Sequence, residues 1–99
     1  MTSHNQLLED TIKRLEASGR YEHIAWNIEY HDGDRVAGEI DIWATTHDNR
    51  WHLYEIKSCP HKYLKARQQL RRFKDNFHPL VDTKYIFVSP SKVKRVYLQ

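Results

Sequence analysis

A chain of 99 residues is enough for one hydrophobic core and too short for two, so a single domain is expected. Charged residues make up 29% and mean hydropathy is −0.83, and no apolar run approaches the ~20 residues of a membrane helix, which excludes a helical membrane protein. Cys59 stands alone and Met1–Gln6 lacks the basic-then-apolar plan of a signal peptide, so the expected setting is reducing and intracellular, cytoplasm or nucleoid.

Ser3 with Gln6 reads as a helix cap, Leu7, Leu8, Ile12 and Leu15 form an apolar stripe at helical spacing, and Gly19 is a stop. Glu22–Tyr30 alternates as a strand, with Ile24, Trp26, Ile28 and Tyr30 on one face. His31–Asp34 is a turn in which Asp32-Gly33 is the hairpin signal. Arg35–Ala44 and Trp51–Ser58 continue an antiparallel meander across the turn chemistry of His47-Asp48-Asn49, and Pro60 ends the third strand. Lys62–Phe77 is a second helix, its Tyr63, Ala66, Leu70, Phe73 and Phe77 recurring at spacings of 3 and 4. Pro79 breaks it. Lys84–Ser89 reads as a strand buried on both faces, set parallel to Trp51–Ser58 by the crossover, and Val93–Leu98 as a final edge strand. The fold class is α/β in the order αβββαβ(β), a mixed central sheet with a helix packed near each face.

The hairpin Arg35–Ser58 carries the chemistry. Glu39, Asp41 and Trp43 fall on one face of the first strand, with Ile40 and Ile42 opposite; Leu53, Glu55 and Lys57 share a face of the second. An odd loop centred on Asp48 sets opposite each other residues whose numbers sum to 96, so Asp41 meets Glu55 and Glu39 meets Lys57. A two-residue turn would set Asp41 against Ile56 instead, so register decides whether the acids meet at all. Two carboxylates so placed repel; Lys57 offsets part of that charge, and a hard divalent ion with oxygen ligands the rest. The net charge of +3 is unevenly spread: residues 61–76 hold six Lys or Arg against one Asp, and no acid follows Asp82. On the second helix Lys62, Lys65, Gln69 and Arg72 run beside the apolar stripe, with Arg67, Arg71 and Lys74 beyond. Such a face suits backbone phosphates.

Gly38-Glu-Ile-Asp41, followed by Glu55-Ile-Lys57 at the end of the next strand, resembles the D…(D/E)xK signature of the PD-(D/E)xK nucleases, in particular the small Holliday-junction-resolvase, RecB-type and Mrr-type members. Ile40 stands where many members carry proline. The resemblance implies a restriction-endonuclease-like core over residues 1–99 and a metal-dependent endonuclease that hydrolyses DNA phosphodiester bonds. Carried over, Asp41, Glu55 and the backbone carbonyl of Ile56 hold Mg²⁺ or Mn²⁺, and Lys57 positions the attacking water. A glutamate on the first helix reaches the metal in Mrr-like and resolvase-like relatives, and Glu9 matches that spacing. Gln69-Leu-Arg-Arg-Phe73 is similar to the RecB-type Q-x-x-x-Y element with Phe for Tyr, which implies that Gln69 orients substrate or water; Gln68 competes for the role.

The alternative is a non-cleaving nucleic-acid-binding module that retains the nuclease fold; the intact acid, acid and lysine argue for cutting. A protein-interaction domain with a mere charge network would leave Asp41 facing Glu55 unrelieved. The seven histidines show no i, i+4 pair and no cysteine at ligand spacing, so a zinc site is not expected. The expected partner is DNA, duplex or branched. One site cuts one strand, so cutting both implies a homodimer, with the last strand, Trp43 and Trp51 as interface candidates.

Overall fold

The computed structural model describes residues 3–98. Its elements are α1 (His4–Ser18), β1 (Tyr21–Asp32), β2 (Arg35–Thr46), β3 (Trp51–Ile56), a 3-10 turn (Pro60–Lys62), α2 (Tyr63–Phe77), β4 (Thr83–Ser89) and β5 (Lys92–Val96). The five strands form one sheet in the order β1-β2-β3-β4-β5, antiparallel except for the parallel β3–β4 pair that α2 connects. One core lies between the sheet and α1, built on Leu7, Leu8, Leu15, Ile42, Tyr54 and Ile86. The other lies under α2, built on Leu53, Leu70, Phe73, Tyr85 and Phe87. The chain is therefore α/β, a mixed sheet between two helices.

Local chemistry accounts for the element ends. Ser3 Oγ accepts the Gln6 N–H at 3.1 Å, while the Gln6 amide turns to Asp10, so only half of a capping box forms. Gly19 ends α1 at φ 68° and His78 ends α2 at φ 51°, both left-handed. Gly33, first of the two residues between Asp32 and Arg35, has φ 63°, the sign a II′ hairpin needs there. The next loop has three residues: Thr46 N–H donates to Arg50 O at 2.8 Å, Asn49 N–H to Thr46 O at 3.1 Å, and Asn49 adopts φ 63°. That is a type I turn closed by a left-handed residue, and it yields the register Ile42↔Tyr54, Trp43↔Leu53, Ala44↔His52, Thr45↔Trp51. All four pairs sum to 96, as the odd loop requires.

Three expectations from strict alternation fail. Ile24 packs on the α1 side and Tyr30 on the α2 side, and likewise Ile42 faces α1 while Ile40 faces α2. Between the pairs Trp26↔Ile42 and Ile28↔Ile40 stand Asn27, at φ 52°, and Asp41. A left-handed residue interrupts the pleat, and asparagine tolerates that conformation better than a branched side chain. Trp26 is 48% exposed beside α1 rather than a core residue. The third strand also stops at Ile56 instead of Ser58, and β5 ends at Val96.

Beyond the flip, Tyr30 faces Gly38 across the hairpin, and its phenol occupies the position that a Cβ at residue 38 would take. The ring meets Phe73 edge-on, 5.2 Å between centroids, so the glycine lets α2 settle on the β1–β2 arm. Gly38→Ala is expected to cost about 1–3 kcal/mol in urea denaturation. A double-mutant cycle with Tyr30→Ala is expected to recover a large part of that loss as coupling; additive effects would show that the ring is not the obstacle.

Candidate active site where two strands part

The β2–β3 ladder ends at Ile42↔Tyr54. Past it the strands separate, β3 staying with β4, where Lys57 N–H donates to Val88 O at 2.9 Å. Two carboxylates fill the gap. Asp41 Oδ2 accepts the Ile56 N–H at 2.8 Å, and Glu55 Oε1 accepts the Asp41 N–H at 3.3 Å. Asp41 and Glu55 thus meet, Asp41 nearly and Glu55 almost wholly buried. Burial raises the Glu55 carboxyl above its ordinary 4.5, and the Asp41 charge adds to the rise; the Asp41 N–H and the Lys57 cation oppose it. Lys57 follows directly on β3, half-buried, with its charge felt at Glu55.

Other residues fall differently from expectation. Glu39 lies exposed opposite Glu29 and not against Lys57, because β2 has left β3 by that point. Glu9 is exposed, pairs with Lys13 at 3.6 Å and lines a hollow beside Trp26. The α1 side chain that reaches the acids is His4, with Nε2 3.5 Å from Asp41 Oδ2. Five residues, about 140° around the helix, separate the two positions, and only docking decides which one overlooks Asp41. Gln68 is exposed, whereas Gln69 Oε1 is buried with no hydrogen-bond partner among the described residues.

No family model, curated protein or solved structure matches the chain. The site's chemistry is read from its own geometry.

The cations of α2 and of the turn before it divide by flank. Lys62, Lys65 and Arg72 are exposed on the flank that carries Gln69, and Arg72 and Glu55 both act electrostatically on Tyr30. On the other flank Arg67 Nη2 donates to Tyr97 O at 3.3 Å and Lys74 Nζ to Leu98 O at 2.9 Å, holding down the segment after β5; half-buried Arg71 lies between them. Arg67 and Lys74 therefore also tie the C-terminal segment to α2. Trp43 and Trp51 pack on each other at 4.7 Å and, with Phe77, beside Phe73, so the chain itself uses these interface candidates.

Among the described residues no group of three or more His, Cys, Asp and Glu has the geometry to hold a metal ion. Asp41 and Glu55 offer carboxylate oxygens, the ligand type that hard cations take. No helix of the described residues is long and apolar enough to cross a membrane.

Glu55 has its folded-state pKa raised, so the stability it contributes is full at acid pH and is lost as pH climbs past 4.5. In EDTA, Glu55→Gln, which keeps an oxygen for the Asp41 N–H, is expected to exceed wild type near pH 8 by on the order of 1–3 kcal/mol, with the gap closing toward pH 5. Mg²⁺ or Mn²⁺ is expected to raise the melting temperature of wild type and not of the variant. A variant less stable than wild type at pH 8 would make Glu55 a purely structural partner.

Proposed function

We propose that this chain is a nuclease of PD-(D/E)xK type that hydrolyses DNA phosphodiester bonds, with Mg²⁺ or Mn²⁺ held by Asp41 and Glu55. The observation that carries the reading is the meeting of two buried carboxylates beside Lys57 where β2 and β3 part. The αβββαβ(β) order, with the acids on adjacent strands and a cationic helix alongside, supports a restriction-endonuclease-like core.

When bound, the ion would polarise the scissile phosphate and lower the pKa of a bound water. Asp41 and Glu55 would hold it through oxygens, their mutual repulsion relieved in doing so. Lys57 lies close enough to Glu55 to share its field, and its ammonium would hold the attacking water or meet the charge developing on phosphorus-bound oxygen. Gln69 Oε1 would accept a hydrogen bond from that water. Lys62, Lys65 and Arg72 would carry the DNA backbone.

One observation favours the rival reading, a non-cleaving nucleic-acid-binding module. Both carboxylates already satisfy backbone N–H groups and so stabilise the sheet without any ion. Incubation of branched and linear DNA with Mg²⁺, Mn²⁺ or EDTA separates the two. Metal-dependent cleavage, reduced roughly 10²–10³-fold in Lys57→Ala and Glu55→Gln, is the expected result; binding without cleavage under any condition would establish the module.

Affinity measured in EDTA is expected to fall with salt at a log–log slope near −3, about one per cation of the Lys62, Lys65 and Arg72 flank. Lys62→Ala with Lys65→Ala is expected to flatten that slope by about 2, while Arg67→Ala leaves it unchanged and loosens the C-terminal segment. Equal flattening by Arg67→Ala would return that residue to the interface.

A further inference from the structure

The far end of β3, about 10 Å along the strand from Glu55, presents a second chemistry. A hollow of about 200 Å³ opens there on the α1 side of the sheet, its wall including His52, Lys84 and Arg95. His52 and Lys84 are cross-strand neighbours, and Arg95 stands opposite Ile86, two residues along β4, so all three share a face. Arg50 and Asp82 complete the charges, and three cations less one carboxylate leave the hollow at +2. Arg50 is engaged by Asp48 at 3.1 Å and Asp82 at 3.8 Å. Neither Lys84 nor Arg95 forms an ion pair among the described residues, Arg95 lying over the Tyr97 ring at 4.8 Å. Thr83 spends its hydroxyl proton on Val81 O and offers no donor.

Behind this wall sits a buried polar relay. Tyr21 hydroxyl lies 2.5 Å from both the Tyr54 hydroxyl and His52 Nδ1. Burial and the bond to Tyr21 both raise the Tyr54 phenol. With Tyr54 donating to Tyr21 and Tyr21 to Nδ1, the histidine carries its proton on Nε2, the ring nitrogen left for the hollow. Burial, then Lys84 and Arg20, bring the His52 pKa down to about 4, so the ring is neutral near pH 7 while surrounded by uncompensated positive charge.

We propose that this hollow binds a phosphate-type oxyanion, with His52 Nε2–H as an oriented donor and Lys84 and Arg95 as charge-bearing clamps. A fixed N–H donor backed by two cations matches tetrahedral oxyanions, for which charge-assisted bonds are the strong ones. The anion has two available sources, free phosphate and a backbone phosphodiester of a nucleic acid. The site lies apart from the acid pair and holds or fails independently of the nuclease reading.

The test follows the His52 ring nitrogens by NMR, in EDTA, as inorganic phosphate is added and then a short DNA duplex. A saturable shift of His52 Nε2 is expected, weakened at least about tenfold by Lys84→Gln with Arg95→Gln. Asp82→Asn removes the carboxylate in the wall of the hollow and is expected to tighten phosphate by about threefold or more; being at an exposed position, it serves even where the double variant does not fold. Displacement of phosphate by the duplex identifies the backbone as the source, and phosphate binding indifferent to duplex identifies a small anion. Absence of a saturable shift at His52, or an Asp82→Asn affinity equal to or weaker than wild type, overturns the site.

Discussion

The Ile56 N–H donates to the Asp41 carboxylate where an unbroken ladder would offer a β2 carbonyl, and the Asp41 N–H is met by Glu55. A buried backbone donor left unpaired costs about as much as a lost hydrogen bond, so the widening of β2 from β3 is tolerated only because side-chain oxygens step in. The oxygens that do so are anionic and adjacent. Sheet closure and charge accumulation are therefore the same event, and the strain appears in Glu55, driven toward its protonated form by burial and by Asp41. A cation seated there would relieve the repulsion without undoing the hydrogen bonds.

The same parting organises the rest of the α2 side. Because the β1–β2 arm flips faces at Asn27 and Asp41, Tyr30 comes round to meet Phe73 over Gly38. Arg72 on α2 and Glu55 on β3 both act electrostatically on that Tyr30 phenol. The opposite flank faces the chain after β5, where Tyr97 and Leu98 carbonyls have left the sheet, and Arg67 and Lys74 supply their donors. One helix thus supports a candidate phosphate track with some of its cations and secures a terminal segment with others. Its buried stripe of Ala66, Leu70 and Phe73 keeps the two tasks apart.

The two ends of β3 differ for a related reason. At its C-terminal end like charges are pressed together by strand separation; at its N-terminal end the ladder is intact and the same strand carries a neutral histidine amid cations. Tyr21, itself bonded to Tyr54, satisfies that histidine from within the α1-side core, which permits an imidazole at a position pairing with Ala44 and Lys84.

Much was legible in the chain itself because it is written in short range. The Ser3 cap, the Gly19 stop, the 3-and-4 stripe of α2 and the turn chemistry of His47–Asn49 each depend on a few neighbouring residues, and the odd loop alone implied the register that aligns Asp41 with Glu55. What the tertiary structure decided lies where alternation or helical spacing was extrapolated across a gap. Period two cannot announce a left-handed Asn27, so Ile40 and Ile42 were assigned one face and took two. Helical spacing shows that Glu9 is polar and outward but not how α1 is rotated against β2, which placed His4 by Asp41 instead. A run of cations reads the same whether it awaits phosphate or, like Arg67 and Lys74, holds carbonyls thirty and twenty-four residues away. Backbone conformation is decided among neighbours in sequence; what a side chain finally touches is decided by whichever distant segment packs opposite it.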